Sequence, residues 1–228
     1  MSPLQGLGTL VRKDLLLGWR SRARWVSVVL FGVVTLLLFS FAVGPDSTAM
    51  ASGASGFLIL ALLLSSTLAL SESFRLEHQN RALEGLMMAP VQPTALFFGK
   101  AISNTLFLTL LAPVLTPVAV VLFALDADVA AVLSVVGLWT LAAAGLSAPG
   151  TMFAAMTSRL RSQDVLLPLL LFPLVVPVLL ASVKAADLVL NGDPMQQLGS
   201  WTLLLVSFDV VYWSLCGALF SLVAEEGS

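Results

Sequence analysis

Charge is scarce in this sequence. Lys, Arg, Asp and Glu make up 11% of its 228 residues, where a soluble domain carries roughly 25%. So little polar material cannot cover a globule, which excludes a water-soluble fold for most of the chain. Cysteine occurs once, at Cys216 inside an apolar run, so there is no disulfide framework to read. There is one histidine, His78, and one tyrosine, Tyr212. No His-x-x-x-His or Cys-x-x-Cys spacing occurs, no Gly-x-Ser-x-Gly elbow, and nothing sets a nucleophile beside a base. These gaps argue against metal and acyl-transfer enzymes. The Walker A pattern, Gly-x-x-x-x-Gly-Lys-Ser/Thr, is missing too, so the chain cannot hydrolyse ATP by that route. Eleven basic against thirteen acidic residues, a net charge of −2, give no surface for nucleic acid.

What the chain has in abundance is apolar sequence, 58% of it. A spanning helix needs about 20 such residues. The charged residues fall into clusters, and the stretches between them predict six spans, at 25–43, 53–71, 100–125, 129–156, 165–183 and 201–223. The fold class expected is an all-α membrane protein, with no room left for a separate soluble domain. The first apolar run follows an Arg-rich start, is longer than a signal-peptide core, and reads as a retained anchor.

Six spans segregate the basic residues. Arg12, Lys13, Arg20, Arg22, Arg24, Arg75, Arg81, Lys100, Arg159 and Arg161 fall on one side, and only Lys184 on the other. The basic side is the cytoplasmic one, so both termini are expected there. The acidic turns at Asp46, Asp126, Asp128 and Asp193 then lie outside. An odd number of spans would break this segregation.

Residues 1–24 form a unit of their own, with Leu4, Leu7, Val11, Leu15 and Trp19 recurring every three to four positions among basic residues. This predicts an amphipathic helix on the cytoplasmic membrane surface, the alternative being a charged flank that only orients span one. Residues 25–228 make the spanning domain. Proline is frequent within it, at Pro113, Pro117, Pro149, Pro168, Pro173 and Pro177. Each frees a carbonyl that a neighbouring helix or water must satisfy, and the dense run at 168–177 suggests kinked helices in a moving bundle.

The longest polar interruption, at about 72–90, separates spans two and three. Phe74, Leu83, Leu86 and Met87 supply an apolar stripe, and Glu77 and Arg81 stand at i and i+4 in the favourable order. Pro90 and Pro93 stop the helix. The expectation is a short amphipathic cytoplasmic helix. Its Met-containing face suits a protein partner, or else it lies on the membrane.

The string Phe74-Arg75, then Arg81-Ala82-Leu83-Glu84-Gly85-Leu86-Met87-Met88-Ala89-Pro90, resembles the coupling-helix region of type-2 ABC exporter permeases. More closely, the chain resembles the CcmB family, the membrane subunit of the haem exporter of cytochrome c maturation. Gly145-Leu146-Ser147-Ala148-Pro149-Gly150 in span four is similar to that family's Gly-Ala-Pro-Gly signature, and the Leu- and Pro-rich fifth span to its Leu-Pro pattern. The resemblance implies a permease driven by a separate ABC ATPase present in two copies, beside a second copy of the permease. A haem-handling membrane subunit, a small helper subunit and a periplasmic haem chaperone would complete the machine. ATP would sit on the partner ATPase, and haem would be the cargo or handled ligand rather than a cofactor of this chain. Phe74, Arg75, Glu77, Arg81, Leu83, Glu84, Leu86 and Met87 would form the ATPase-coupling helix, with Ala148, Pro149 and Gly150 as the span-four signature. Export of a lipid-linked glycan or drug is the alternative within the class. A non-transporting scaffold that couples an ATPase to a haem-handling partner is the alternative outside it.

Two further groups stand out. Asp209 is the only acidic residue deep within a span, where a charge costs about 2.5–3.5 kcal/mol on insertion scales. It reads either as polar glue between spans or as a functional group facing water. Lys184 and Asp187, at i and i+3, predict an ion pair at the outer end of span five. Haem ligation by the chain itself is not expected, because its His lies on the cytoplasmic helix and its Cys and Tyr lie in span six.

Overall fold

In the computed structural model, residues 8, 11–12, 22–79, 93–157 and 163–225 are described. Among them the elements are seven α-helices: α1 (Arg22–Val43), α2 (Ser47–Gln79), α3 (Pro93–Thr109), α4 (Ala112–Leu122), α5 (Val129–Thr157), α6 (Gln163–Asn191) and α7 (Leu198–Glu225). They provide six spans long and apolar enough to cross a bilayer, with α3 and α4 together making the third. Helices are the expected solution, since in hydrocarbon every backbone N–H and C=O must be satisfied within the segment. The protein is a multi-pass α-helical membrane protein.

Side chains and glycines at the helix ends explain the boundaries. The even-numbered spans α2, α5 and α7 each begin behind an aspartate. Asp46 Oδ1 accepts from the backbone N–H groups of Thr48 (3.0 Å) and Ala49 (3.2 Å). Asp128 Oδ1 accepts from Ala131 N–H at 2.7 Å. The two oxygens of Asp193 accept from Gln197 and Leu198 N–H, both at 2.8 Å. Asp46, Asp128 and Asp193 of the acidic turns are therefore helix caps, each placing a negative group at the positive end of a helix dipole. Glycines at positive φ close α1 (Gly44, 75°) and α6 (Gly192, 96°).

The helices overrun the boundaries expected from sequence. α2 does not stop near Ser71 but continues to Gln79, so residues 72–79 prolong span two instead of starting a separate helix. No Gly or Pro lies between Gly56 and Gly85 to stop it. α6 likewise runs to Asn191, past Val183. There Asp187 Oδ1 accepts from Asn191 Nδ2 at 2.7 Å, one turn on, and the described residues contain no ion pair to Lys184. Span three departs most. It begins at Pro93 and breaks at Leu110–Leu111, whereas α5 and α6 stay helical across Pro149, Pro168, Pro173 and Pro177. The third span is thus the discontinuous one. At its break, Leu108 C=O accepts from Leu111 N–H (3.1 Å) and from the buried Trp139 indole Nε1–H on α5 (2.8 Å).

α5 is the hub of the bundle, packing against α2, α3, α4, α6 and α7. Between Ala142 and Gly150 most of its inward residues are small, namely Ala142, Ala143, Gly145, Ser147, Ala148 and Gly150. Small residues let helix backbones approach, which is what holds helices together where lipid competes for apolar surface. α1 lies to one side against α2 and α4. Its outward ridge of Val26, Leu30, Val34, Leu38 and Phe41 is exposed, as suits a face turned to hydrocarbon.

Candidate functional site: a polar junction on the fourth span

The Gly145–Gly150 stretch meets four other spans, through Gly145, Ala148 and Gly150. A methyl on Gly145 would stand 2.8 Å from Asp209 Oδ1 on α7 and 3.2 Å from Val178 Cγ2 on α6. A methyl on Gly150 would stand 2.6 Å from Leu70 Cδ1 on α2. Ala148 is fully buried and packs with Phe97 and Ala101 of α3 and Cys216 of α7. Pro149 lies between these contacts and denies Gly145 C=O its usual donor four residues on. One helical turn and a half therefore combines the closest packing in α5 with a missing backbone hydrogen bond.

Polar side chains flank the proline on both sides. Asn104 of α3, 4% exposed, accepts at Oδ1 from Ser73 Oγ–H of α2 (3.1 Å) and donates from Nδ2 to Thr151 Oγ1 of α5 (2.9 Å). The adjacent Thr105 Oγ1 shares a short hydrogen bond with Ser147 Oγ of α5. Ser147 and Thr151 stand four residues apart, one on each side of Pro149. Two consecutive residues of α3 thus hold both sides of the α5 proline, and Asn104 adds α2 to the same chain. Interhelical hydrogen bonds in membranes average about 0.6 kcal/mol and reach about 1.7. Three in one cluster orient these helices more than they stabilise the whole fold.

A second set of contacts fixes α7 and α1. The Trp213 indole Nε1–H of α7 donates to Ala144 C=O of α5 at 3.0 Å, and Trp213 stacks on Phe98 of α3 with centroids 6.2 Å apart. Arg24 of α1 reaches inward: Nη2 donates to Ala69 C=O of α2 at 2.9 Å, and Cζ lies 4.3 Å above the Phe107 ring of α3. Arg24 therefore does more than orient span one from a charged flank. It joins the first three spans through a cation–π contact and a charge-assisted hydrogen bond.

The structure brings Asp209 and the 148–150 signature to one junction. Asp209 Oδ1 is buried, without a hydrogen-bond partner among the described residues, against the glycine that opens the signature. Of the expected coupling residues, Phe74, Arg75 and Glu77 fall on the last turns of α2. Arg81, Leu83, Glu84, Leu86 and Met87 lie outside the described residues, as does most of the N-terminal amphipathic segment. His78 is on the final turn of α2, Cys216 of α7 is buried against α3 and α5, and Tyr212 stacks on Phe208 (centroids 4.1 Å apart). Sequence reasoning passed over Ser73, Asn104, Thr105 and Thr151, and met Ser147 only as a member of the span-four string. The signal was present in span three, where Lys100, Ser103 and Asn104 recur at helical spacing inside an apolar run and all prove buried.

Fold and junction together define a polytopic membrane protein organised around a proline-bearing, small-residue fourth span. A family model described as CcmB protein matches residues 5–223, and the chain belongs to that family. It is 34% identical over 183 residues to heme exporter protein B of Rhodobacter capsulatus, covering 80% of this chain and 82% of the relative. It is 31% identical over 175 residues to the protein of that name in Haemophilus influenzae, covering 75% and 76%. With the Pseudomonas aeruginosa protein of that name it shares 29% identity over 185 residues, covering 81% and 82%.

Proposed function

We propose that this chain is the permease subunit of an ABC complex for haem export, or for release of the haem-loaded chaperone, in c-type cytochrome assembly. The observation that carries the reading is the CcmB match over residues 5–223, nearly the whole six-span frame. The relatives are named heme exporter protein B, and haem is accordingly the ligand moved or handled. The chain lacks a Walker A sequence, so a separate ATPase, in two copies against two permeases, supplies ATP hydrolysis. A haem-handling membrane subunit, a small helper and a periplasmic haem chaperone are the further partners.

On this reading the protein lies in the bacterial inner membrane with both termini in the cytoplasm, the side that the basic residues favour. Residues 1–24 form the interfacial element and 25–228 the permease domain. The segment at about 72–90 is the part that the ATPase pushes, through Phe74, Arg75, Glu77, Arg81, Leu83, Glu84, Leu86 and Met87. Its first residues continue α2, so a push there acts on span two as on a lever. Ala148, Pro149 and Gly150 receive that motion at the hub, and Asp209 stands beside it either as polar glue between spans or as a functional group facing water.

The test is deletion of the gene in the source organism. Loss of c-type cytochromes with haem synthesis intact supports the reading, and normal c-type cytochromes refute it. Haem flux into vesicles holding only this protein and its ATPase would then separate haem export from chaperone release.

A further inference from the structure

The chain of side chains from Ser73 through Asn104 to Thr151, with Thr105 and Ser147 beside it, has a place in the fold that packing alone does not require. Among the described residues α2 ends at Gln79 and α3 begins at Pro93, so the two helices leave from either end of the segment assigned above to the ATPase contact. Six residues before the end of α2 stands Ser73, and eleven after the start of α3 stands Asn104. The two are joined at 3.1 Å. The Asn104 amide uses both its ends, taking Ser73 on one side and giving to Thr151 on the other. Thr151 and Ser147 then bracket Pro149, the point at which α5 lacks a backbone hydrogen bond.

We propose that Asn104 is a positioning residue for coupling: it transmits displacement of α2 and α3 to the Pro149 hinge of α5, and from there to the helices packed around it. This rests on the reading of the chain as an ATPase-driven permease. It adds which buried groups carry the motion. A contiguous hydrogen-bonded chain suits that task, because moving one member without the next strands a polar group in an apolar interior. The apolar contacts alone would slide at lower cost.

Thr151→Val and Asn104→Leu remove the polar groups while keeping the branching of the side chain, and Thr151→Ser keeps the hydroxyl. Each variant replaces the chromosomal copy in the source organism. For each, the c-type cytochrome matured is measured per permease in the membrane, together with ATP hydrolysis by the copurified complex. The expected result is that Thr151→Val and Asn104→Leu still accumulate, still hold the ATPase and still hydrolyse ATP. Their cytochrome yield per ATP falls roughly three- to tenfold. Thr151→Ser stays near the unaltered level, and the double variant is no worse than the worse single one, because one broken chain is broken already.

Unchanged yield per ATP in both Thr151→Val and Asn104→Leu would overturn the proposal. A fall in cytochrome that only tracks a fall in permease abundance would overturn it as well, leaving the cluster a purely structural role. The parent reading fails separately: if deleting the whole gene leaves c-type cytochromes intact, the function is wrong and the relay falls with it.

Discussion

Asp209 and Gly145 meet across the interface of α7 and α5 so closely that Oδ1 stands 2.8 Å from the point a Gly145 methyl would occupy. Val178 Cγ2 at 3.2 Å and Phe208 Cδ1 at 3.4 Å close the same spot from other directions. Gly145→Ala must therefore turn the Asp209 carboxylate aside and press on the β-branched Val178 side chain, an overpacking cost of about 1–3 kcal/mol. Gly150→Ala meets only the end of the flexible Leu70 side chain and should cost less. Thermal unfolding of the purified protein in detergent should rank the two in that order. Asp209→Ala, which removes the nearest obstacle, should recover part of the Gly145→Ala loss. Failure of the second change to compensate would mean that the Asp209 contact does not limit the approach of the helices.

The six spans were legible in the sequence because hydrocarbon leaves few alternatives. A run of about 20 apolar residues between charged clusters has to be a helix. The acidic turns were legible as turns, yet not as caps, since capping depends on a carboxylate meeting particular amides of the first helical turn. The span-four signature could be read from Ala148, Pro149 and Gly150 themselves, whereas its function as a hub follows from which residues of α2, α3, α6 and α7 reach it. The polar chain was the least legible part. Ser73, Asn104 and Thr151 are separated by 31 and 47 positions, and each looks like an ordinary polar residue tolerated in a span. Only tertiary packing places them in one line. The break in span three was half visible, in Pro113 and Pro117, but its outside donor, Trp139, is contributed by another helix.

Asp46 should make the start of α2 sensitive to acid. The Thr48 hydroxyl, then the Ala49 and Thr48 amides, hold its carboxyl below the ordinary value of 3.8. A depressed folded value means that the cap's contribution is present above the unfolded value and is lost as pH falls through the lower folded one. Hydrogen exchange at Thr48 and Ala49 should accordingly stay slow at neutral pH and quicken only under strongly acidic conditions, after correction for intrinsic exchange. In Asp46→Ala the same amides should exchange quickly at every pH. Equal protection in the two proteins would show that the cap does not hold this turn.

Ala124 ends α4 with φ at 48°, a left-handed conformation in which a Cβ is crowded. The turn is otherwise well made, with Leu125 N–H donating to Val120 C=O at 3.0 Å, the six-to-one bond of a Schellman cap. Ala124→Gly keeps that bond and removes the crowding, at the expense of a more flexible unfolded chain. A net gain of about 0.5–1 kcal/mol is expected, seen as a higher midpoint in thermal unfolding. A lower midpoint would indicate that the methyl is needed where it stands.

Trp139 ties α5 to the third span at the point where that span breaks. Its indole is buried and its Nε1–H reaches Leu108 C=O at 2.8 Å, where the turn at 110–111 leaves that carbonyl with a local donor at only 3.1 Å. Trp139→Phe keeps an aromatic ring in the core but removes the donor. The direct loss is about 1 kcal/mol for the hydrogen bond, and the smaller ring adds a cavity cost on top. The effect should be local as well as global. Amide exchange should quicken around Leu108–Leu111 and at the start of α4, while α6 and α7 keep their protection. Uniform quickening across all spans would instead identify Trp139 as a general core residue with no special part at the break.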